Sequence, residues 1–223
     1  MDIIAHRGDS KQHGDNTMLS YSKARLLAVD AIEMDVCITK DNVPVMAHNA
    51  VDKKTGVAIH CRNYSEADLS LAEVFEQFSS DTFVYLLDIK DPRACSEICR
   101  CIYELCLQFS CLERCVLGSF NEFHLRDLCN IEKTTGCTLK KAYITSNIHE
   151  DMFASRIGAF GLTCIVLYKY QVNREVVSFC HSKGVKVYVY TCNTDGLERY
   201  AKSLGCDGVV TDTPNQFRHA RVE

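Results

Sequence analysis

The segment AIEMDVCITKDNVPVMAH, residues 31–48, contains the two features on which the fold prediction depends. Residues 31–38 form an apolar run broken by only two carboxylates, which is typical of a strand buried on both faces of a parallel sheet. The residues TKDN (39–42) then supply turn-forming side chains, and VPVMAH (43–48) is a second, shorter apolar run. Because the second run follows so closely, it predicts a hairpin return beside the first strand and not a further member of a parallel series.

Similar apolar runs recur along the whole chain and alternate with longer segments of helical spacing. The predicted strands cover residues 3–7, 31–38, 84–90, 115–120, 139–144, 163–168, 185–191 and 207–212. The predicted helices cover 16–29, 70–80, 93–109, 121–133, 148–157, 173–183 and 195–204, and several begin at a plausible cap: Asn16, Ser70, Asn121, Asn173 and Asp195.

Strands that alternate with helices indicate a parallel sheet covered by helices. Eight such units in 223 residues predict an α/β fold, a single (β/α)8 TIM barrel over residues 1–223, with a small extra hairpin strand after the second barrel strand. An open, doubly wound sheet is the structural alternative. The dinucleotide-binding pattern G-x-G-x-x-G does not follow the first strand, so we prefer the barrel.

Composition limits the kinds of partner. The formal net charge of -4 argues against a general nucleic-acid or anionic-membrane surface, which would need a basic footprint. No apolar run is long enough for a transmembrane helix, and the first residues, MDIIAHRGDSK, show no signal-peptide pattern. We therefore expect a cytoplasmic protein that acts on a small molecule.

Cysteine is abundant, with fourteen residues, and three interpretations compete. Disulfides suit a secreted protein, and zinc sites usually contain C-x2-C pairs, which are missing here. The densest group comprises Cys95, Cys99, Cys101, Cys106, Cys111 and Cys115. Three of these, Cys95, Cys99 and Cys106, share a helical face with apolar residues, so we favour cysteine as a small hydrophobic core residue over disulfides or metal binding.

Polar side chains gather at the carboxyl ends of the predicted strands, where a buried parallel strand should be apolar. The group consists of His6, Arg7, Glu33, Asp35, His48, Asp88 and Lys90. Each has a purely structural alternative, such as a capping histidine, a solvent-facing carboxylate pair or an Asp88–Lys90 ion pair. In a barrel, however, these strand ends converge on one mouth, which is where active sites are built.

Taken together, these residue types suit phosphodiester chemistry. Three carboxylates offer hard oxygen ligands for Mg²⁺ or Ca²⁺, and two imidazoles can act as general acid and base near neutral pH. Arg7 and Lys90 supply positive charge for a phosphate. The sequence thus predicts a metal-assisted phosphodiester site.

The motifs IAHRG (4–8), DNT (15–17), residues 31–49, LLDIK (86–90), VLGSF (116–120) and residues 185–214 together resemble the glycerophosphodiester phosphodiesterase family, in the same order and over nearly the whole chain. The resemblance implies a TIM barrel that hydrolyses glycerophosphodiesters to sn-glycerol 3-phosphate and an alcohol with one divalent cation. It further implies residue roles: His6 and His48 as acid and base, Glu33, Asp35 and Asp88 as metal ligands, and Arg7 and Lys90 as phosphate contacts.

Four positions depart from the family pattern. Asp15 stands where the family has a glutamate before NT, and Asp88 stands where the third metal-binding carboxylate is usually a glutamate. Asn49 replaces the aspartate after the second histidine, and Tyr190, which we expect in the substrate pocket, replaces a tryptophan. These changes leave the predicted catalytic set complete, while substrate choice and metal preference stay open.

Three other functions stay open at this stage. A phospholipase D-like barrel would cleave lysophospholipids or sphingomyelin and form a cyclic phosphate. A non-catalytic phosphodiester-binding barrel would be expected to lack a histidine or a carboxylate of the set, and none is missing. In a purely structural barrel the charges would pair among themselves. The nucleophile, water or the glycerol hydroxyl, is equally open.

Overall fold

The computed structural model describes residues 1–52, 55–93, 96–148 and 150–217. The strands are β1 (Asp2–His6), β2 (Ala31–Ile38), β3 (Pro44–Met46), β4 (Val84–Ile89), β5 (Cys115–Ser119), β6 (Lys140–Thr145), β7 (Cys164–Tyr168), β8 (Lys186–Tyr190) and β9 (Gly208–Thr211). The α-helices are α1 (Ser10–His13), α2 (Met18–Leu26), α3 (Leu71–Gln77), α4 (Glu97–Gln108), α5 (Glu122–Thr135), α6 (Glu150–Phe160), α7 (Arg174–Ser182) and α8 (Asp195–Leu204). Short 3-10 turns occur at Ile59–Cys61, Leu112–Arg114 and Pro214–Phe217.

The parallel strands close into a barrel. Each strand pairs in parallel with the next along the chain, except that β2 pairs with β4 because β3 lies outside the series, and β9 returns to pair with β1. This closure confirms the predicted (β/α)8 TIM barrel and excludes the open sheet. Among the described residues, no helix is long and apolar enough to cross a membrane.

The extra strand β3 confirms the hairpin predicted after the second barrel strand. It runs antiparallel to the carboxyl end of β2, where Val36 pairs with Met46 and Ile38 with Pro44. One edge of β2 pairs with β4. The other edge pairs with β1 as far as Glu33 and with β3 from Val36 onward. The strand β3 therefore pairs with β2 beyond the end of β1, at the mouth of the barrel.

Two apolar layers follow from the alternation of side chains along the strands. The barrel interior is filled by Ile4, Ala31, Leu86, Val116, Ala142, Ile144, Cys164, Val166 and Val210. The other face of each strand packs against the helices in a larger core. Glycine at 118 fits this interior, because a Cβ there would lie 3.1 Å from the Ile144 side chain.

The helix caps agree with the prediction at three of five positions. Ser70, Asn121 and Asn173 each accept a hydrogen bond from the first turn of the following helix. The predictions for Asn16 and Asp195 were wrong by one residue, since Thr17 and Thr194 are the caps. A threonine hydroxyl reaches the free backbone N–H groups in both cases, which leaves the Asn16 amide available for another contact.

The cysteines of the dense segment lie mainly in the outer core. Cys99 and Cys106 of α4 are fully buried together with Ile98 and Ile102, as the helical face predicted. Cys111 and Cys115, beyond the helix, are buried as well. Cys95 lies outside the described residues.

Candidate active site

A cavity of about 140 Å³ opens at the carboxyl ends of the barrel strands. It is lined by His6, Arg7, Glu33, His48, Leu86, Asp88, Lys90, Phe120, Ile144, Val166, Tyr190, Thr191 and Val210. Seven of the eight predicted site residues are in this lining, and the eighth, Asp35, is buried and contacts two of the others. The structure thus brings the predicted set together.

Strand periodicity explains why these side chains meet. Glu33 and Asp35 share a face of β2 with Ala31, which belongs to the barrel interior. In the parallel register, Glu33 lies opposite His6 of β1, and Asp35 lies opposite Asp88 of β4. Three neighbouring strands therefore deliver their polar ends to one level of the barrel.

The three carboxylates form a compact buried group. One oxygen from each of Glu33, Asp35 and Asp88 lies within 4.8 Å of the others, and all three residues are at most 5% exposed. Burial, reinforced by the neighbouring carboxylates, raises the pKa of Glu33 well above its usual range. Burial likewise raises the pKa of Asp88 to about 7. Such a group is costly unless positive charge compensates it.

Two basic side chains supply part of that charge. The Arg7 Nε lies 2.9 Å from an Asp35 oxygen, and the Arg7 backbone N–H donates to Glu33 at 3.0 Å. Lys90 forms an ion pair with Asp88 and lies 3.4 Å from Asp35. Although burial would lower the pKa of Lys90, its attraction to these two carboxylates raises it overall.

The donor set fits a hard divalent cation. Two cationic side chains against three carboxylates leave one negative charge when all are ionised, and all the converging donors are oxygen atoms. Asp88 Oδ1 is buried and has no hydrogen-bond partner among the described residues. A buried carboxylate oxygen without a partner is costly, and a metal ion would satisfy it.

Asn16 fixes the orientation of Asp35. Its amide Nδ2 donates to Asp35 Oδ2 at 2.9 Å, and its Oδ1 accepts from the Asp35 backbone N–H at 3.1 Å. The buried Tyr21 hydroxyl donates to the same Oδ1 at 2.8 Å. The sequence pattern predicts Asn16 only as a helix cap and as part of the DNT motif, and it does not predict this contact with Asp35.

Asp15, the neighbour of Asn16, accepts a hydrogen bond from Arg7 Nη1 at 2.7 Å. Asp15 is shorter than the glutamate of the family pattern, but its carboxylate still reaches Arg7. Arg7 itself adopts a positive φ of 57°, and Gly8 follows with φ 85°. A Cβ at Gly8 would lie 2.6 Å from the backbone carbon of Ser20, so only glycine lets the chain turn here.

His6 is held by Asp212, which follows β9. Its Nδ1 lies 2.5 Å from Asp212 Oδ1, and Asn193 Nδ2 donates to the second oxygen at 2.6 Å. Burial would raise the pKa of Asp212, but the hydrogen bonds from His6 and Asn193 and nearby positive charge lower it overall. Asp212 therefore stays ionised. The sequence prediction missed this residue, although it ends a predicted strand as the other site residues do.

His48 reaches the cavity from the hairpin. Its Nδ1 lies 3.1 Å from the side-chain oxygen of Asn49, the residue that replaces an aspartate of the family pattern. Burial lowers the pKa of His48, and the positive charges of Arg7 and Lys90 add to this effect, whereas Asp35 opposes it. His48 is therefore neutral near pH 7, in a form able to accept a proton.

Two aromatic rings, those of Phe120 and Tyr190, also line the cavity. Tyr190 packs edge to face with Phe120 at 6.1 Å between ring centroids, and the Lys90 ammonium lies 4.7 Å from the centre of the Phe120 ring. Tyr168 and then Tyr170 continue this row away from the cavity. Ser119, by contrast, is buried and bonds to the Ile89 carbonyl, so it is a packing residue.

The remaining described histidines lie outside the cavity lining. His124 is buried beneath Ser119, and His181 pairs with Asp207 at the opposite end of β9. His13 pairs with Asp9 on α1, and His60 lies in the 3-10 turn at 59–61. His149 and His219 lie outside the described residues.

Comparisons with known proteins place the chain in a family. The model of the glycerophosphoryl diester phosphodiesterase family matches residues 6–91 and 119–216. A glycerophosphodiester phosphodiesterase of Caldanaerobacter subterraneus subsp. tengcongensis is 28% identical over 95% of this chain and 94% of its own length. A lysophospholipase D of Rattus norvegicus is 32% identical over 41% of this chain and 26% of its own length.

A solved structure also matches the whole fold. It is a phosphodiesterase of Oleispira antarctica in complex with the product sn-glycerol 3-phosphate, and it superposes with a TM-score of 0.88. Its sequence is 22% identical, and the match covers 100% of this chain and 97% of the other. Because the family model spans most of the sequence and includes the strand ends that line the cavity, this chain belongs to the glycerophosphoryl diester phosphodiesterase family.

Proposed function

We propose that this protein hydrolyses glycerophosphodiesters to sn-glycerol 3-phosphate and an alcohol, with His6 and His48 as the acid–base pair and a divalent cation as cofactor. The observation that carries the proposal is that both histidines line one cavity together with Arg7, Lys90 and Asp88. Family membership and the product named for the Oleispira antarctica structure support the same reaction.

Glu33, Asp35 and Asp88 would hold the cation, Mg²⁺ or Ca²⁺. All their donor atoms are oxygen. Asp88 Oδ1 has no hydrogen-bond partner among the described residues, so this oxygen is available to bind the ion. When bound, such an ion supplies Lewis-acid stabilisation of phosphoryl oxygens. Arg7 and Lys90 border the same carboxylates, so their positive charge is available to the phosphate from the protein side.

The two imidazoles are oriented for proton transfer. Asp212 accepts from His6 Nδ1, so His6 Nε2 is the nitrogen that faces Glu33 and the cavity. This arrangement holds the ring in one tautomer and one orientation, as a carboxylate does in hydrolytic triads. One histidine would take a proton from the nucleophile while the other gives a proton to the leaving alcohol.

The test is an assay of hydrolysis over a panel of glycerophosphodiesters, with Mg²⁺, Ca²⁺ or EDTA. We expect activity that EDTA removes, and a loss on the order of 10²–10⁴ in kcat for His6→Ala and for His48→Ala, the span usual for general acid–base groups. His181→Ala is the matched control, because this half-exposed histidine pairs with Asp207 far from the cavity. Normal turnover by either site variant would refute the assignment of that histidine.

Lysophospholipids are a second candidate substrate class. The aromatic row of Phe120, Tyr190, Tyr168 and Tyr170 leads outward from the cavity and offers an apolar surface for an acyl chain. Phe120 is 43% exposed and Tyr170 74% exposed. In the same panel, Phe120→Ala should raise KM for lysophospholipids and leave KM for glycerophosphodiesters nearly unchanged if the row binds acyl chains.

A further inference from the structure

A second converging donor group lies on the opposite side of the sheet from the cavity. The sulfur atoms of Cys106, Cys111 and Cys115 lie within 4.8 Å of one another, and each residue is at most 1% exposed. Cys106 belongs to the last turn of α4, and Cys115 is the first residue of β5. We name these three residues the thiol triad.

The thiol triad is separate from the carboxylate site. Cys115 packs in the outer core, whereas the next residue, Val116, points into the barrel interior. Asp88 pairs with Gly118, three residues farther along β5. At about 3.3 Å per residue, the two groups are roughly 10 Å apart along the strand, on different faces of the sheet.

The backbone holds the triad in a compact loop. The Cys111 N–H donates to the Cys106 carbonyl at 2.9 Å, and the Arg114 N–H donates to the Cys111 carbonyl at 2.9 Å. These bonds close the connection between α4 and β5, so the three sulfurs need no long-range rearrangement to stay together. Such preorganisation reduces the entropy that a ligand would lose on binding.

Sulfur contacts distinguish the triad from other buried cysteines of the chain. Cys37 donates to the Ala47 carbonyl at 3.2 Å, and Cys192 donates to the Val189 carbonyl at 3.7 Å. In the triad, Cys106 Sγ lies 3.5 Å from Cys115 Sγ, which lies 3.9 Å from Cys111 Sγ. Three thiolates that bind one zinc ion at about 2.3 Å in tetrahedral geometry are about 3.8 Å apart, which matches these distances.

We propose that the thiol triad binds a soft, thiophilic metal cation of the zinc group. All the converging donors are sulfur, and thiolates select soft ions, whereas the carboxylate site offers only oxygen. Three thiolates and a divalent ion carry one net negative charge. Arg114, which directly precedes Cys115, would supply a compensating positive charge in this turn. Its guanidinium lies 5.0 Å from the Tyr85 ring centre, and its Nη1 is buried without a hydrogen-bond partner among the described residues.

The experiment is a Cd²⁺ titration of the reduced, metal-free protein, with saturating Mg²⁺ present to occupy the carboxylate site. Thiolate-to-Cd²⁺ charge transfer in the ultraviolet reports sulfur ligation and does not respond to carboxylates. We expect one equivalent of thiolate-bound Cd²⁺ per chain and a thermal midpoint that rises with Cd²⁺ or with Zn²⁺.

Cys106→Ser and Cys115→Ser should each weaken Cd²⁺ binding at least tenfold and reduce the charge-transfer signal. The matched control is Cys99→Ser, which replaces another fully buried sulfur of the same helix and should leave the titration unchanged. If either of these variants does not fold, Cys111→Ser, in the turn beyond the helix, is tested in its place. Absence of the charge-transfer band in the wild type, or equal affinity in the triad variants, would overturn the proposal.

Discussion

Replacing Asp212 with asparagine tests how His6 is positioned. In the wild type, Asp212 accepts from His6 Nδ1 and from Asn193 Nδ2. In the variant, Asn193 still needs an acceptor, so the new amide turns its oxygen toward Asn193 and its NH₂ group toward His6. A donor then faces Nδ1, and the imidazole is forced into the tautomer that carries its proton on Nε2.

The size of the effect follows from the bond that is lost. A hydrogen bond to a charged group contributes about 1.5–3 kcal/mol, and at about 1.4 kcal/mol per tenfold in rate this corresponds to roughly 10- to 150-fold. The inverted tautomer adds to that loss, so we expect kcat to fall on the order of 10²-fold. KM should change little, because Asp212 is not in the cavity lining.

The assay is steady-state hydrolysis of a glycerophosphodiester with kcat and KM resolved, accompanied by the ring ¹⁵N chemical shifts of His6, which report the tautomer. Asp207→Asn is the control, because Asp207 pairs with His181 at 2.8 Å in a similar contact away from the cavity. If Asp212→Asn retained kcat within twofold of the wild type, or lost kcat without a change of tautomer, the reasoning about His6 would be refuted.

Three further predictions concern the metal site and the frame that carries it. Burial raises the pKa of Asp88 from 3.8 to about 7. Between these two pH values the metal-free folded protein holds a proton that the unfolded chain has released, so the stability of the metal-free protein falls as pH rises. Because Mg²⁺ or Ca²⁺ competes with that proton, the Tm gain on adding the ion should increase from about pH 5.5 to about pH 8 in thermal unfolding, and Asp88→Asn should reduce the increase. Gly8→Ala should lower the free energy of unfolding, measured in denaturant titrations, by more than backbone strain alone would, which is about 1–3 kcal/mol. The added Cβ would also collide with Ser20. Gly14→Ala is the control and should cost less, because Gly14 has a similar φ but its nearest atom would lie 3.6 Å away. Ser70→Ala breaks a capping box and should cost about 1 kcal/mol in the same titrations, with kcat unchanged.

Much of the fold was predictable because it depends on local pattern. The alternation of short apolar runs with helical segments is a property of neighbouring residues, and it sufficed for the barrel and for the hairpin strand β3. The two-residue period of a strand also predicted that Glu33 and Asp35 would share a face. Helix ends were less certain, as Asn16 and Asp195 illustrate, because adjacent polar residues compete for the same cap.

The sequence by itself therefore determined the barrel, its extra strand and the residues that its strand ends carry to the mouth. Only the tertiary structure decided which of them touch. Asp212 meets His6 across 206 residues, because closing the barrel brings β9 beside β1. Asn16 turns to Asp35 because Thr17 takes the cap, and the sulfurs of the thiol triad converge because the turn after α4 folds back on the helix. Local periodicity sets the direction of a side chain, but its partner is set by the packing of elements that are distant in the chain.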